Sequence, residues 1–95
     1  MLRNMTMFSR LLRQDVLGQV LPNVPVAELA GDQRLLIENH LGVTEYGCDC
    51  IGVKVRYGYL YIRGSNLSLS YMNSQQLVVC GDIDSIHLQK GGRTG

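Results

Sequence analysis

The sequence predicts a small, mainly β domain: an antiparallel sandwich or roll of about seven to eight short strands, with one N-terminal amphipathic helix. Three observations carry this. From residue 26 onward, short apolar runs recur at roughly eight-residue intervals with turn residues between them. Within 51–71 much of the sequence alternates apolar and polar, the period of a half-buried strand. Before residue 21 the apolar spacing is three or four, the period of a helix face.

Ninety-five residues make one small domain, with 45 % apolar and 18 % charged residues. The charged share is below the usual value of about 25 %, so the outer faces carry few solvating groups. A chain this short buries a modest fraction of its surface, and self-association or a partner would add to a marginal core. The net charge of +1 supplies no field to gather nucleic acid or an anionic membrane. No apolar run reaches the roughly 20 residues of a membrane-spanning helix. Arg10 and Arg13 interrupt MLRNMTMFSRLL, so it does not read as a secretory leader. Three cysteines, an odd number, fit a reducing compartment rather than a disulfide framework. The expected location is therefore cytoplasmic.

In chain order, Met5, Phe8, Leu12, Val16 and Val20 share one helical face, with Leu11 alongside. Arg3, Arg10, Arg13 and Gln14 take the other faces. Gly18 weakens the last turn and Pro22 ends the helix. This helix is expected either to pack on the domain or to dock on a membrane surface or a partner. Pro22 and Pro25 mark an extended connection, so residues 1–25 read as helix plus linker and 26–89 as the β domain. Val26, Leu29 and Ala30 suit a short edge strand ending at Gly31-Asp32. Leu35, Leu36 and Ile37 are too apolar for a one-sided strand and are expected to be covered on both faces. Gly42 supplies a turn into Val43–Tyr46. A two-residue Leu41-Gly42 hairpin loop would set Glu38 against Glu45, an unfavourable pairing that leaves this register open.

Later registers are better determined. With Tyr57-Gly58 as a hairpin loop, Val55 faces Leu60 and Val53 faces Ile62. On the other side Arg56 meets Tyr59 and Lys54 meets Tyr61, which segregates apolar pairs from aromatic–cation pairs. With Ser65-Asn66 as the next loop, Ile62 faces Leu69 and Leu60 faces Tyr71, without a slip of face. Met72–Gln75 is a polar turn. Leu77-Val78-Val79-Cys80 does not alternate and reads as covered on both faces. Ile83 is out of phase with Ile86 and Leu88, which predicts a bulge or bend near Asp84-Ser85. Residues 90–95 read as a flexible polar tail.

Three groups of residues could carry chemistry. Cys48 and Cys50, with Cys80, His40 and His87 elsewhere, offer zinc-type donors. Yet the usual structural pair is C-x-x-C, and there is no second pair. Glu38, Asn39 and His40 invite an acid–base reading, but no nucleophile pattern accompanies them. The simpler reading is a turn anchored by side-chain hydrogen bonds. Tyr57, Tyr59 and Tyr61, with Lys54, Arg56 and Arg63, suit stacking on bases, a protein-contact face, or an outer sheet face whose side chains lie flat on each other. The partner-binding candidates are Lys54, Arg56, Tyr59 and Tyr61. No catalytic, cofactor or metal residue is assigned.

IENHLGVTEY (37–46), YLYIRGSNLSLSYM (59–72) and VVCGDIDSIHL (78–88) resemble the YabP/YqfC family of sporulation proteins. The shared pattern is I-E-N-H-x-G, an apolar-x-I-x-G-x-N-L segment, and a closing G-x-I-x-S-I segment, over about residues 26–88. Asp15-Val16 and Leu21-Pro22 look more like the YqfC branch. The resemblance implies a β-sandwich-like, non-enzymatic structural or adaptor protein of endospore formation. It would be made in the mother cell, sit in the cytoplasm or at the forespore surface, and act in coat or cortex assembly. Its partner would be another protein, such as a membrane-associated sporulation protein, or a second copy of itself, with no nucleic acid and no transmembrane segment. Gly47-Cys48-Asp49-Cys50 departs from the polar, acidic turn that the resemblance implies there. The alternative function is a metal- or thiol-dependent regulatory domain using Cys48, Cys50 and Cys80.

Overall fold

The structure is a computed structural model and describes residues 24–91. The helix predicted over 2–20 and residues 92–95 lie outside these. Every regular element among the described residues is a strand: β1 (Val26–Ala30), β2 (Arg34–Glu38), β3 (Val43–Tyr46), β4 (Cys50–Val55), β5 (Gly58–Met72) and β6 (Gln76–Lys90). They form one antiparallel sheet in the order β1-β2-β6-β5-β4-β3. The chain is mainly β, as predicted. The strands are fewer and longer than predicted, because β5 and β6 each run for 15 residues.

The β5–β6 hairpin is the spine. It closes through the predicted polar turn, where the Asn73 side-chain oxygen accepts from the amides of Gln75 and Gln76 at 2.8 and 2.6 Å. β2 pairs with the first part of β6 (Leu36↔Val78, Arg34↔Cys80). β4 pairs with the first part of β5, at the opposite end of the hairpin (Val53↔Leu60, Cys50↔Arg63). β1 and β3 extend the sheet outward from these two.

Fifteen residues of straight strand would span about 50 Å, too long for so small a core. The spine therefore bends, with register shifts between Arg63 and Gly64, between Ser65 and Ser68, and between Leu69 and Tyr71. Arg63 pairs with Ser85 and Gly64 with Ile83. Asp84 is thus the extra residue, at the predicted bulge. At the bend Gly81 has φ +128°, and a Cβ there would strike the Asn66 carbonyl. Only glycine fits where the strands cross this closely. Bending brings both ends of the sheet onto one core: Leu35, Ile37, Leu77 and Val79 from one end, and Ile51, Val53, Val55, Leu60 and Ile62 from the other, with Leu67.

Three expectations are corrected. Ser65-Asn66 is not a chain reversal. Asn66 does adopt the left-handed conformation of a turn residue, with φ 55°, but the bulged spine absorbs it. Ile62 consequently pairs with Ile86, Leu60 with Leu88, and Leu69 with Val79. The loop between β4 and β5 is Arg56-Tyr57, so Lys54 rather than Arg56 faces Tyr59. This shift moves each partner by two residues and leaves the faces intact. Gly58, read as a turn residue, instead opens β5, where an added Cβ would collide with the Gln89 carbonyl. Finally, β2 and β3 do not form a hairpin. Residues 39–42 cross from one end of the sheet to the other, and Glu45 pairs with Gly52 rather than facing Glu38.

The two runs expected to be covered on both faces lie side by side. Leu35, Ile37, Leu77 and Val79 are fully buried. On the opposite face Leu36, Val78 and Cys80 are half-buried.

Candidate functional site

The crossover accounts for the Glu38-Asn39-His40 cluster. Asn39 takes a left-handed backbone, φ 64°, which asparagine tolerates better than most residues. Its amide donates to the Gln75 carbonyl at 2.6 Å, and its side-chain nitrogen donates to the Val24 carbonyl at 2.7 Å. The Glu38 Oε2 accepts from Gln76 Nε2 at 3.1 Å. His40 is buried, and both ring nitrogens are occupied. Nδ1 accepts from the Gly42 amide at 3.0 Å, which makes Nε2 the protonated nitrogen. That nitrogen donates to the Asn73 carbonyl at 2.8 Å. The ring thus fastens the crossover to the turn of the spine. Both ring nitrogens are thereby committed to hydrogen bonds within the fold.

The cysteines are not brought together. Cys48 is exposed before β4, Cys50 is buried at the start of β4, and Cys80 is half-buried in β6. Cys50 pairs with Arg63, while the Cys80 thiol lies 3.3 Å from the Ser70 hydroxyl. Among the described residues no group of three or more His, Cys, Asp or Glu could hold a metal ion. The metal form of the regulatory alternative, with Cys48, Cys50 and Cys80 as ligands, is therefore corrected: these thiols do not converge.

The outer face of β4 and β5 has more to offer. On a strand, residues two apart share a face, so Tyr59, Tyr61 and Arg63 line up along β5, with Lys54 beside Tyr59 on β4. The Lys54 ammonium lies 4.8 Å from the centre of the Tyr59 ring. The Tyr59 and Tyr61 rings lie 6.3 Å apart, inclined by 22°. The Arg63 guanidinium sits 5.7 Å from the Tyr61 ring. The result is a ladder in the order cation, ring, ring, cation. Both rings are half-buried and both cations exposed. Each contact restrains a side chain that would otherwise lose rotamer freedom on binding. Arg56, the fourth candidate, stands apart in the β4–β5 turn, with its guanidinium 5.7 Å from the Tyr57 ring. The same turn and the spine's own turn border an open groove lined by Asn39, His40, Leu41, Arg56, Ser74 and Gln75.

Arg63 belongs to the ladder by geometry and is absent from the four candidates. Its position two residues after Tyr61 was the available signal, obscured by a register that paired Lys54 with Tyr61. No helix among the described residues is long and apolar enough to cross a membrane.

These features define a class: a small antiparallel β domain, built on one bent hairpin, that presents an ordered aromatic–cationic face. The YabP family model matches residues 25–95, and the chain belongs to the YabP family, which points to a role related to sporulation. No curated protein matches the chain.

Proposed function

We propose that this chain is a non-enzymatic adaptor of endospore formation. It acts in the mother cell, in coat or cortex assembly at the forespore surface, by binding another protein. The contact face is the ladder of Lys54, Tyr59, Tyr61 and Arg63, with Arg56 apart from it over Tyr57 in the neighbouring turn. The observation that carries this reading is the prior ordering of the ladder on rigid strands. Tyrosine and arginine are favoured at protein contacts because they combine apolar area with polar ends. The engagement of both His40 nitrogens supports a role without catalysis, since the residue best suited to proton transfer already serves as a fastener.

The test is affinity recovery from sporulating cells with Tyr59→Ala and Tyr61→Ala combined. Partner recovery is expected to fall by about tenfold or more, while circular dichroism keeps its β signature. Unchanged recovery by the folded variant would reject this face.

A further inference from the structure

The second half of β6 is unlike the other strands among the described residues. Asp84, Ser85, Ile86, His87, Leu88, Gln89 and Lys90 are all exposed, whichever face their side chains take. On one side this segment pairs with β5. On the other, β2 pairs only with Gln76–Cys80, and the last contact from the β1–β2 turn is Asp32 accepting from the Ile83 amide. Among the described residues no strand pairs with that side beyond Ile83. Sheet edges of this kind are usually blunted by proline, shortness or a central charge. Here the segment has no proline, and its middle is Ile86-His87-Leu88.

The backbone fixes which groups point outward. The Gly91 amide donates to the Tyr57 carbonyl, on the β5 side. Alternation along a strand then turns the amides of Lys90, Leu88 and Ile86 away from β5. An antiparallel partner must match outward-facing residues with outward-facing residues, which leaves few registers. A self-pairing centred on Ile86 would set Asp84 against Leu88. One centred on Leu88 would set Ile86 against Lys90. Centring on His87 sets Ile86 against Leu88 twice and, at each end, brings the bulge residue Asp84 beside Lys90 of the other copy. Only this last register matches apolar with apolar and acid with base throughout.

We propose that the occupant of this edge is a second copy of the chain, paired antiparallel through Asp84–Lys90 about a two-fold axis at His87. The interface is isologous, as expected of a symmetric dimer. It joins two sheets into one and covers Ile86 and Leu88, which are 36 % and 42 % exposed in the single chain. Cross-strand partners share a face. Tyr59 and Tyr61, paired with Gln89 and His87, therefore lie on the same side of the joined sheet in both copies. The dimer presents two aromatic–cationic ladders in one plane, so a partner carrying two matching sites gains avidity.

The experiment is the concentration dependence of molar mass, by light scattering and sedimentation of the full 95-residue chain. The mass is expected to rise from one to two chain masses. Asp84→Lys alone and Lys90→Glu alone each place two like-charge pairs across the axis, and each is expected to weaken the dimer about tenfold. The double variant restores opposite charges in exchanged positions and is expected to recover the dimer to within about threefold of the native chain. Recovery in the double variant also shows that the single variants lost pairing rather than fold. A chain monomeric at every concentration overturns the proposal and leaves the edge to a strand from another protein. So does a dimer indifferent to the single substitutions, or one that the double variant does not restore. Partner recovery left unchanged by the combined Tyr59→Ala and Tyr61→Ala substitutions, in a chain that still dimerises, would count against the adaptor face alone.

Discussion

Ile62 and Ile86 face each other across the spine, on the same side of the same sheet. So do Leu60 and Leu88. Yet Ile62 is fully buried and Leu60 nearly so, while Ile86 and Leu88 are more than a third exposed. Identity and strand period do not explain the difference, because the pairs match in both. What differs is what lies across. Among the described residues, Leu35, Ile37, Leu77 and Val79 join Leu60 and Ile62 in one core, which does not extend to Ile86 or Leu88. Apolar alternation marks a face that could be covered. The topology decides whether it is.

Four substitutions test this contrast. The largest expected effect is at Ile62→Ala, which deletes a fully buried side chain from a core shared by both ends of the sheet. The expected loss is about 3–4 kcal/mol, read by urea unfolding. A loss under about 1 kcal/mol would mean that the two ends do not share a core. His40→Ala follows, at about 2 kcal/mol, since it orphans the Gly42 amide and the Asn73 carbonyl at the crossover. The matching His87→Ala should leave stability within about 0.5 kcal/mol, and equal losses at the two histidines would refute the fastener role of His40. At Ile86→Ala the loss is expected to stay under about 1 kcal/mol when measured at concentrations where the chain is monomeric. If that loss rivals the one at Ile62, the second half of β6 is covered after all.

Much of the fold was legible wherever local chemistry settles it. The edge strand ending at Gly31, the turn at Asn73 and the bulge at Asp84 each have a short-range cause, respectively a glycine, an asparagine turn and a slip in apolar phase. The double-sided apolar runs at 35–37 and 77–80 correctly marked two strands of the sheet interior, although the second face is covered only in part. What escaped was long-range. Asn66 has the backbone of a turn residue, and nothing local distinguishes a reversal from a bulge inside a longer strand. Gly58 resembles a hairpin glycine, but its cause is the Gln89 carbonyl, 31 positions away in sequence. The crossover at 39–42 looked like a hairpin because two strands flank a glycine. The partners of those strands lie far along the chain, so the local reading had no access to them.

Of the candidate face, the residue types and the shared side of β5 were legible, because period two determines them. The contacts were not, because they depend on a register displaced by two residues. Arg56 left the ladder for this reason, whereas Arg63 joins it within β5, two residues beyond Tyr61. The side-chain anchoring by Asn39 was legible, but the sequence set His40 on a strand face beside a hairpin turn, whereas its ring fastens a crossover. Its anchor point, the Asn73 turn, could not be named from sequence.

The pairing order has a consequence for biosynthesis. β1 and β2 emerge early from the ribosome, yet the strand that receives β2 begins at Gln76. Leu35 and Ile37 must therefore wait through some forty further residues of translation before their shelter exists. The first hairpin cannot mature as translation proceeds, and nascent chains stalled before Gln76 should display those side chains to holding chaperones.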